Sequence, residues 1–295
     1  MKSTNIRKKL FMIPVAINAI TATWSGMETP FCFGLGRTRK SFVLGAFSIT
    51  VMMSVFAVSP SSVNAESDGV GVNLFILSGQ SNMAGMKPEE SFTPAVEKAF
   101  GKEHVIVVKD AHGGQPIRRW YKDWTSADGS RPAKTGDLYD RLMQKVKSEM
   151  KTGESTIVTV TFVWMQGERD ANEKHGEIYK SSLSGLFEQI ASDLGRKDLN
   201  FVVGRLSDFD MSNQKYPHWT LVREQQVALA EQTPNCVWVD TDDLNDGKNR
   251  GGKSIKNDLH YSANGYVILG QRFADEAIRM IESRKDQSVE KSVKP

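Results

Sequence analysis

From about residue 72 to residue 281, short apolar runs alternate with longer stretches in which apolar residues recur at helical spacing. Val72 to Leu77, Val105 to Val108, Thr156 to Val163, Phe201 to Leu206 and Val237 to Val239 have the length and composition of strands. Leu138 to Met150, Ile178 to Leu194, Trp219 to Glu231 and Tyr266 to Ile281 read as helices. Strand and helix in alternation predict a parallel sheet joined by crossover helices: an α/β three-layer sandwich with a flavodoxin-like, five-stranded parallel sheet, occupying residues 66–283. Such sheets bind ligands beyond the carboxyl ends of their strands, near the point where strand order reverses. Residues just after each strand are therefore the ones to inspect. No internal repeat is visible. The tail beyond Ile281 is charged and lacks apolar anchors, so residues 284–295 are expected to be disordered.

Residues 1–65 stand apart from this domain. Arg37, Arg39 and Lys40 precede an apolar run from Phe42 to Val58, and Val63-Asn64-Ala65 offers the small residues that signal peptidase accepts. The expectation is a signal peptide cleaved after Ala65 and a secreted or periplasmic protein. The length of the run also fits an uncleaved membrane anchor, and Met27 is an alternative start. Removing the leader changes the charge. It holds 7 of the 38 Lys and Arg and 1 of the 35 Asp and Glu, so the remainder carries 31 basic against 34 acidic residues. No basic surface for a nucleic acid is left. Cys32 falls in the leader and Cys236 stands alone in an apolar stretch, where a buried structural thiol is expected. Cys and His never occur at metal-ligand spacing, so neither a structural zinc nor another cofactor is expected.

Chemistry concentrates where the predicted strands end. The first runs into Gly79-Gln80-Ser81-Asn82-Met83, which sets the Ser81 hydroxyl at a helix start, where the helix terminus favours developing negative charge. Ser81 is thus a candidate nucleophile, with an N-cap as the plainer alternative. A serine needs a base. Of His104, His112, His175, His218 and His260, the last lies in the polar loop Asn257 to Ser262, just before the final helix and on the same sheet edge. His112 and His218 are loop residues that could line the cleft. After the third strand, Gln166 can donate a side-chain N–H to an oxyanion and Glu168 is an acid at the functional edge. A solvated turn with an Arg169–Asp170 ion pair is the alternative there. After the second strand, Gly113-Gly114 allows backbone N–H groups to approach a ligand closely, as an oxyanion hole requires. Gln80 and Asn82, flanking Ser81, are further candidates for oxyanion or substrate contact. A nucleophile, a base, an acid and oxyanion donors thus follow different strands.

These segments resemble the SGNH hydrolases, and within them the sialate O-acetylesterase and acetylxylan esterase group, the sixth carbohydrate esterase family. Gly79 to Gly85 (GQSNMAG), Gly113 to Ile117 (GGQPI) and Trp164 to Ala171 (WMQGERDA) look like its first three blocks. Trp219, Val222, Arg223 and Gln226 resemble a further helix pattern, and Leu259-His260-Tyr261 with Gly265, Leu269, Gly270 and Arg272 the last block. The resemblance implies the SGNH fold and a metal-independent serine esterase acting on acetylated glycans, with Ser81 attacking, His260 as base and an acetyl-enzyme intermediate. It also implies an oxyanion held by the Ser81 N–H, the Gly114 N–H and Gln166. Two positions depart from the pattern. Met165 stands where the family's third block has histidine, and Asn257 where its last block has aspartate. An amide cannot stabilise an imidazolium as a carboxylate does, so Glu168, or failing that Asp258, is expected to orient His260. The rival readings are a lipolytic or thioester-cleaving enzyme with the same machinery and a catalytically silent glycan-binding protein. Trp120, Tyr121 and Trp124 are candidates for stacking on sugar rings.

Overall fold

The computed structural model describes residues 71–151 and 156–293, with side chains as far as Arg284. The leader, with its cleavage site after Ala65, lies outside the described residues. Five strands, β1 (Val72–Gly79), β2 (Val105–Ala111), β3 (Ile157–Met165), β4 (Asn200–Gly204) and β5 (Cys236–Val239), form one sheet in the order β2-β1-β3-β4-β5. Every pairing in it is parallel, and the order reverses between β1 and β3. This is the expected flavodoxin-like sheet.

β1 and β4 are buried at every position, which is why they read as unbroken apolar runs rather than as alternating ones. β2 and β5, at the edges, bury only some of their residues. Among the described residues seven helices accompany the sheet: α1 (Ser81–Gly85), α2 (Phe92–Phe100), α3 (Asp137–Lys151), α4 (Glu168–Asn172), α5 (Gly176–Asp193), α6 (Trp219–Gln232) and α7 (Ala263–Val293). α2 packs on α7 and α5 on α6. The core between helices and sheet is built from large side chains such as Phe75, Phe162, Trp164 and Phe273, all fully buried. At about 25 cal/mol per Å² of apolar surface, one such aromatic contributes about 2–3 kcal/mol.

Two features depart from the expectation. The helix α7 continues through Val293, across the segment taken as a disordered tail. Residues 271–294 contain neither Gly nor Pro and are rich in Glu, Lys, Arg and Gln, so nothing in the sequence stops the helix once it is nucleated on the core. The second is a two-stranded hairpin, β6 (Gly247–Lys248) against β7 (Ser254–Ile255), standing between β5 and the loop of His260. Arg250, at its turn, forms a two-pronged ion pair with Glu90 (2.7 and 2.6 Å) and so ties the hairpin to the segment that follows α1.

Candidate active site

The site grows out of the joint between β1 and β3. Gly79 ends β1 at φ +144°, and a Cβ there would lie 1.9 Å from the Met165 carbonyl oxygen, so only glycine fits. The Gln80 N–H donates to that same carbonyl at 2.9 Å. The chain then turns at once into α1, which places Ser81 as its first residue, above the point where the strand order reverses. The loop after β2 folds over from the other side. The His112 N–H donates to the Gly79 carbonyl (3.0 Å), and a Cβ on Gly113 would stand 3.6 Å from Ser81 Cβ. Gly114 adopts φ +68°, the left-handed region that a side chain would disfavour. Neither the Ser81 N–H nor the Gly114 N–H has an acceptor among the described residues.

A cleft of about 380 Å³ opens here, lined by Gln80, Ser81, Gly114, Glu168, Arg169, Asn172, Tyr216, Leu259 and His260. The structure thus brings Ser81, His260, Glu168, Gly114 and Gln80 to one cavity from four separate stretches of chain. The Ser81 hydroxyl and the His260 imidazole share its walls without a direct hydrogen bond. Bonds of this kind commonly close only when substrate is in place.

Glu168, the first residue of α4, is 1% exposed. Its Oε1 accepts from Asn82 Nδ2 at 2.8 Å, whereas Oε2 is buried without a partner. Burial pushes the Glu168 carboxyl up to about 7, with repulsion from Asp170 adding to the effect and the Asn82 amide opposing it. Asp258 is differently engaged: its Oδ1 accepts the backbone N–H of His260 (3.0 Å), and neither its carboxylate nor that of Glu168 bonds the His260 imidazole. Asn257, at the family's aspartate position, sits at φ +44° and accepts from Asn245 Nδ2.

Two of the sequence-predicted contacts need correction. Gln166 is fully buried, and its Nε2 is committed to Gln80 Oε1 (3.2 Å), the Gln115 carbonyl (3.2 Å) and Asp170 Oδ2 (2.5 Å). An amide nitrogen has two hydrogens, so none is left for an oxyanion. Asn82 is also buried. Its Nδ2 donates to Glu168 and to the Leu259 carbonyl (3.1 Å), and its Oδ1 accepts from Tyr266 Oη (3.1 Å). It braces the site from behind and does not face the cleft. Gln80 differs from both. Its Oε1 accepts from the Arg169 N–H (3.2 Å) and from Gln166, whereas its Nε2 has no acceptor among the described residues.

Asp170 is a residue that the sequence reading missed. It does not pair with Arg169. Its Oδ2 receives the Ile117 N–H (2.8 Å) and the Gln166 amide, which stitches the block after β3 to the block after β2. Burial pushes this carboxyl up to about 7 as well. The signal was its place in Trp164 to Ala171, hidden by the simpler reading of an adjacent ion pair.

The remaining motif residues are scaffold. Gln226 donates to the Gln166 carbonyl (2.8 Å) and accepts the Leu206 N–H (2.8 Å), while Arg223 pairs with Asp242 at 2.7 Å. Trp120 and Trp124 are buried, Tyr121 packs on Gly185, and none of the three lines the cleft. Tyr216, which no motif singles out, lines the cleft instead. His218 accepts the Gly176 N–H at the start of α5 (3.1 Å), and neither it nor His112 lines the cleft. Met165, in place of the family's histidine, is buried, with Tyr261 Oη 3.9 Å from its sulfur. Cys236 is a buried free thiol pushed up to about 12 by burial, far from a reactive thiolate. Among the described residues no cluster of three His, Cys, Asp or Glu could hold a metal ion.

Comparison with known proteins agrees with this architecture. No protein of curated function matches the sequence. Among solved structures, one of a protein from Arabidopsis thaliana superposes with a TM-score of 0.52 at 21% identity, covering 70% of this chain and 97% of that one. A structure called a novel carbohydrate acetylesterase, from Xanthomonas citri, gives 0.48 at 17% identity over 69% of this chain and 55% of its own. NanS gives 0.49 at 13% identity, over 72% and 98%. At 21% identity the likeness to the Arabidopsis thaliana protein speaks to the fold alone. The sequence profile described as "Carbohydrate esterase, sialic acid-specific acetylesterase" matches residues 85–279, from the last residue of the Ser81 block almost to the end of the folded domain. The chain belongs to this family of carbohydrate esterases and is a carboxylic-ester hydrolase.

Proposed function

We propose that the protein removes O-acetyl groups from carbohydrate through an acetyl-enzyme on Ser81, and that it does so outside the cytoplasm. The observation that carries this reading is the convergence of Ser81, His260, Glu168 and the free N–H of Gly114 on one cleft beyond the carboxyl ends of the strands. His260 takes the proton of Ser81 as Oγ attacks the acetyl carbon, and returns it to the sugar oxygen as the ester bond breaks. Water then attacks the acetyl-serine as His260 takes its proton, and His260 passes that proton to Ser81 Oγ as the bond to the acyl carbon breaks and acetate leaves. The tetrahedral oxyanion is held by the N–H groups of Ser81 and Gly114, with the free Nε2 of Gln80 in the part expected of Gln166.

Glu168 supplies the negative charge that the imidazolium needs. One Asn82 amide nitrogen holds both the Glu168 carboxylate and the carbonyl of Leu259, the residue before His260, which ties the acid to the histidine loop. Leu259 and Tyr216 stand among polar and charged side chains in the cleft, and at about 380 Å³ the cavity leaves room for a short acyl group on a polyol. Export rests on the leader and its small-residue cleavage site. Ser81→Ala is expected to abolish release of p-nitrophenol from its acetate ester without a change in melting temperature. Turnover retained by that variant would refute the assignment, and a preference for octanoyl over acetyl esters would transfer it to lipolysis.

A further inference from the structure

Arg169 occupies an unusual position. Its backbone N–H donates to Gln80 Oε1 at 3.2 Å, and its side-chain Nε donates to the Gly114 carbonyl at 2.8 Å. One residue therefore holds both flanks of the space in front of Ser81, the Gln80 side and the Gly114 side. A Cβ placed on Gly114 would meet Arg169 Nη2 at 3.6 Å, so the guanidinium lies alongside that glycine, at the cleft wall. At the end of α4 it pairs with Glu173, whose Oε1 stands 3.9 Å from Nε, and the other oxygen of that carboxylate bonds Arg118 at 2.5 Å, so one carboxylate is shared between two guanidinium groups.

We propose that Arg169 is a positioning residue for the oxyanion hole, bracing Gly114 and Gln80 against one another and setting a positive charge beside the developing oxyanion. This rests on the esterase reading given above. The physical need is specific. A glycine at positive φ has the widest conformational freedom of any residue, so an N–H donated by Gly114 is well aimed only if something else removes that freedom. A charge-assisted bond to its carbonyl does so. The guanidinium then adds a field that favours the tetrahedral anion over the neutral ester, which is the difference that accelerates the chemical step.

The test compares wild type, Arg169→Met and Arg169→Lys on p-nitrophenyl acetate, with Ser81→Ala as control. Arg169→Met is expected to lower kcat about 10- to 100-fold with KM changed less than about 3-fold, and to weaken a tetrahedral boronate inhibitor by the same factor as kcat/KM. Arg169→Lys, which keeps the charge and loses the planar fork, is expected to fall between the two. A merely structural role would lower the melting temperature without this parallel loss of boronate affinity. Unchanged kcat on the neutral acetate, with KM raised only on sugars bearing a carboxylate, overturns the inference and makes Arg169 a substrate-anion contact. Turnover surviving in Ser81→Ala overturns the esterase reading and this inference with it. Ser81-dependent turnover that Arg169→Met leaves intact overturns this inference alone.

Discussion

Asn82 Nδ2 lies 2.8 Å from Glu168 Oε1, a hydrogen bond between the residue after the candidate nucleophile and the candidate acid, 86 positions apart in the chain. The same nitrogen also holds the Leu259 carbonyl, and the other end of the amide accepts from Tyr266. Three segments that carry the site are thereby fixed by one short side chain. The register between serine, acid and histidine loop is set from behind the cleft, where solvent and substrate do not reach.

Asn82→Ala would strip partners from a buried carboxylate, a carbonyl and a phenol at once. Leaving a buried polar group unsatisfied costs about 1–3 kcal/mol, so a total loss of about 3 kcal/mol or more is expected. Thermal unfolding followed by circular dichroism measures it. Esterase activity should fall even well below the melting temperature, because the His260 loop loses its tie to α1. A variant with wild-type stability and wild-type kcat would show that this amide is idle.

Glu168 ties stability to pH. Its carboxyl titrates near 7 in the folded protein against 4.5 as its ordinary value, because burial penalises the charged form. Between those values the folded chain keeps a proton that the unfolded chain has released. This contribution to stability is therefore complete below about pH 4.5 and is lost as pH rises through about 7, amounting to at most about 3 kcal/mol. Asp170, pushed up to about 7 by burial, acts with the same sign. Glu168→Gln, an acid replaced by an amide that never ionises, is expected to lose less stability than wild type between about pH 5 and about pH 8 in urea unfolding. Equal slopes would mean that the carboxyl is not held above its ordinary range. Wild-type turnover should rise through about pH 7, since only the ionised Glu168 can stabilise an imidazolium.

The sheet was legible because each buried strand is an apolar run and each crossover helix has its own period. The motif blocks were legible because catalytic side chains must follow strands that meet at one edge. What remained hidden was the division of labour within the blocks. Gln80, Asn82 and Gln166 are carboxamides in adjoining motifs, and residue type alone gives each the same chemistry. Only the count of hydrogen-bond partners separates them, and that depends on contacts such as Gln166 with Asp170 and Gln115 that no local pattern encodes. The α2 helix was missed for a different reason. Pro94 interrupts the reading of Phe92, Val96 and Phe100 as one face, yet it sits in the first turn, where a missing N–H does no harm.

The same hydrogen-bond accounting yields a test that separates Gln80 from Gln166. Gln80→Glu keeps the oxygen that accepts the Arg169 N–H and removes the amide donor that faces no partner. Gln80 is itself 3% exposed, so the new carboxylate carries a desolvation cost and the melting temperature should fall modestly, while kcat per folded protein drops about 100-fold or more, the usual loss when one oxyanion donor is removed. Gln166→Glu, in contrast, would set a second carboxylate against Asp170, whose Oδ2 lies 2.5 Å from the present amide nitrogen, in a place with no exposure to water. Like charges buried at that range cannot both ionise, so this variant should unfold at markedly lower temperature, and activity should follow the loss of fold. The discriminating measurement is kcat relative to the folded fraction for each variant. A Gln166→Glu protein that is stably folded yet inactive would return the oxyanion role to Gln166, and a Gln80→Glu protein with full kcat would remove it from Gln80.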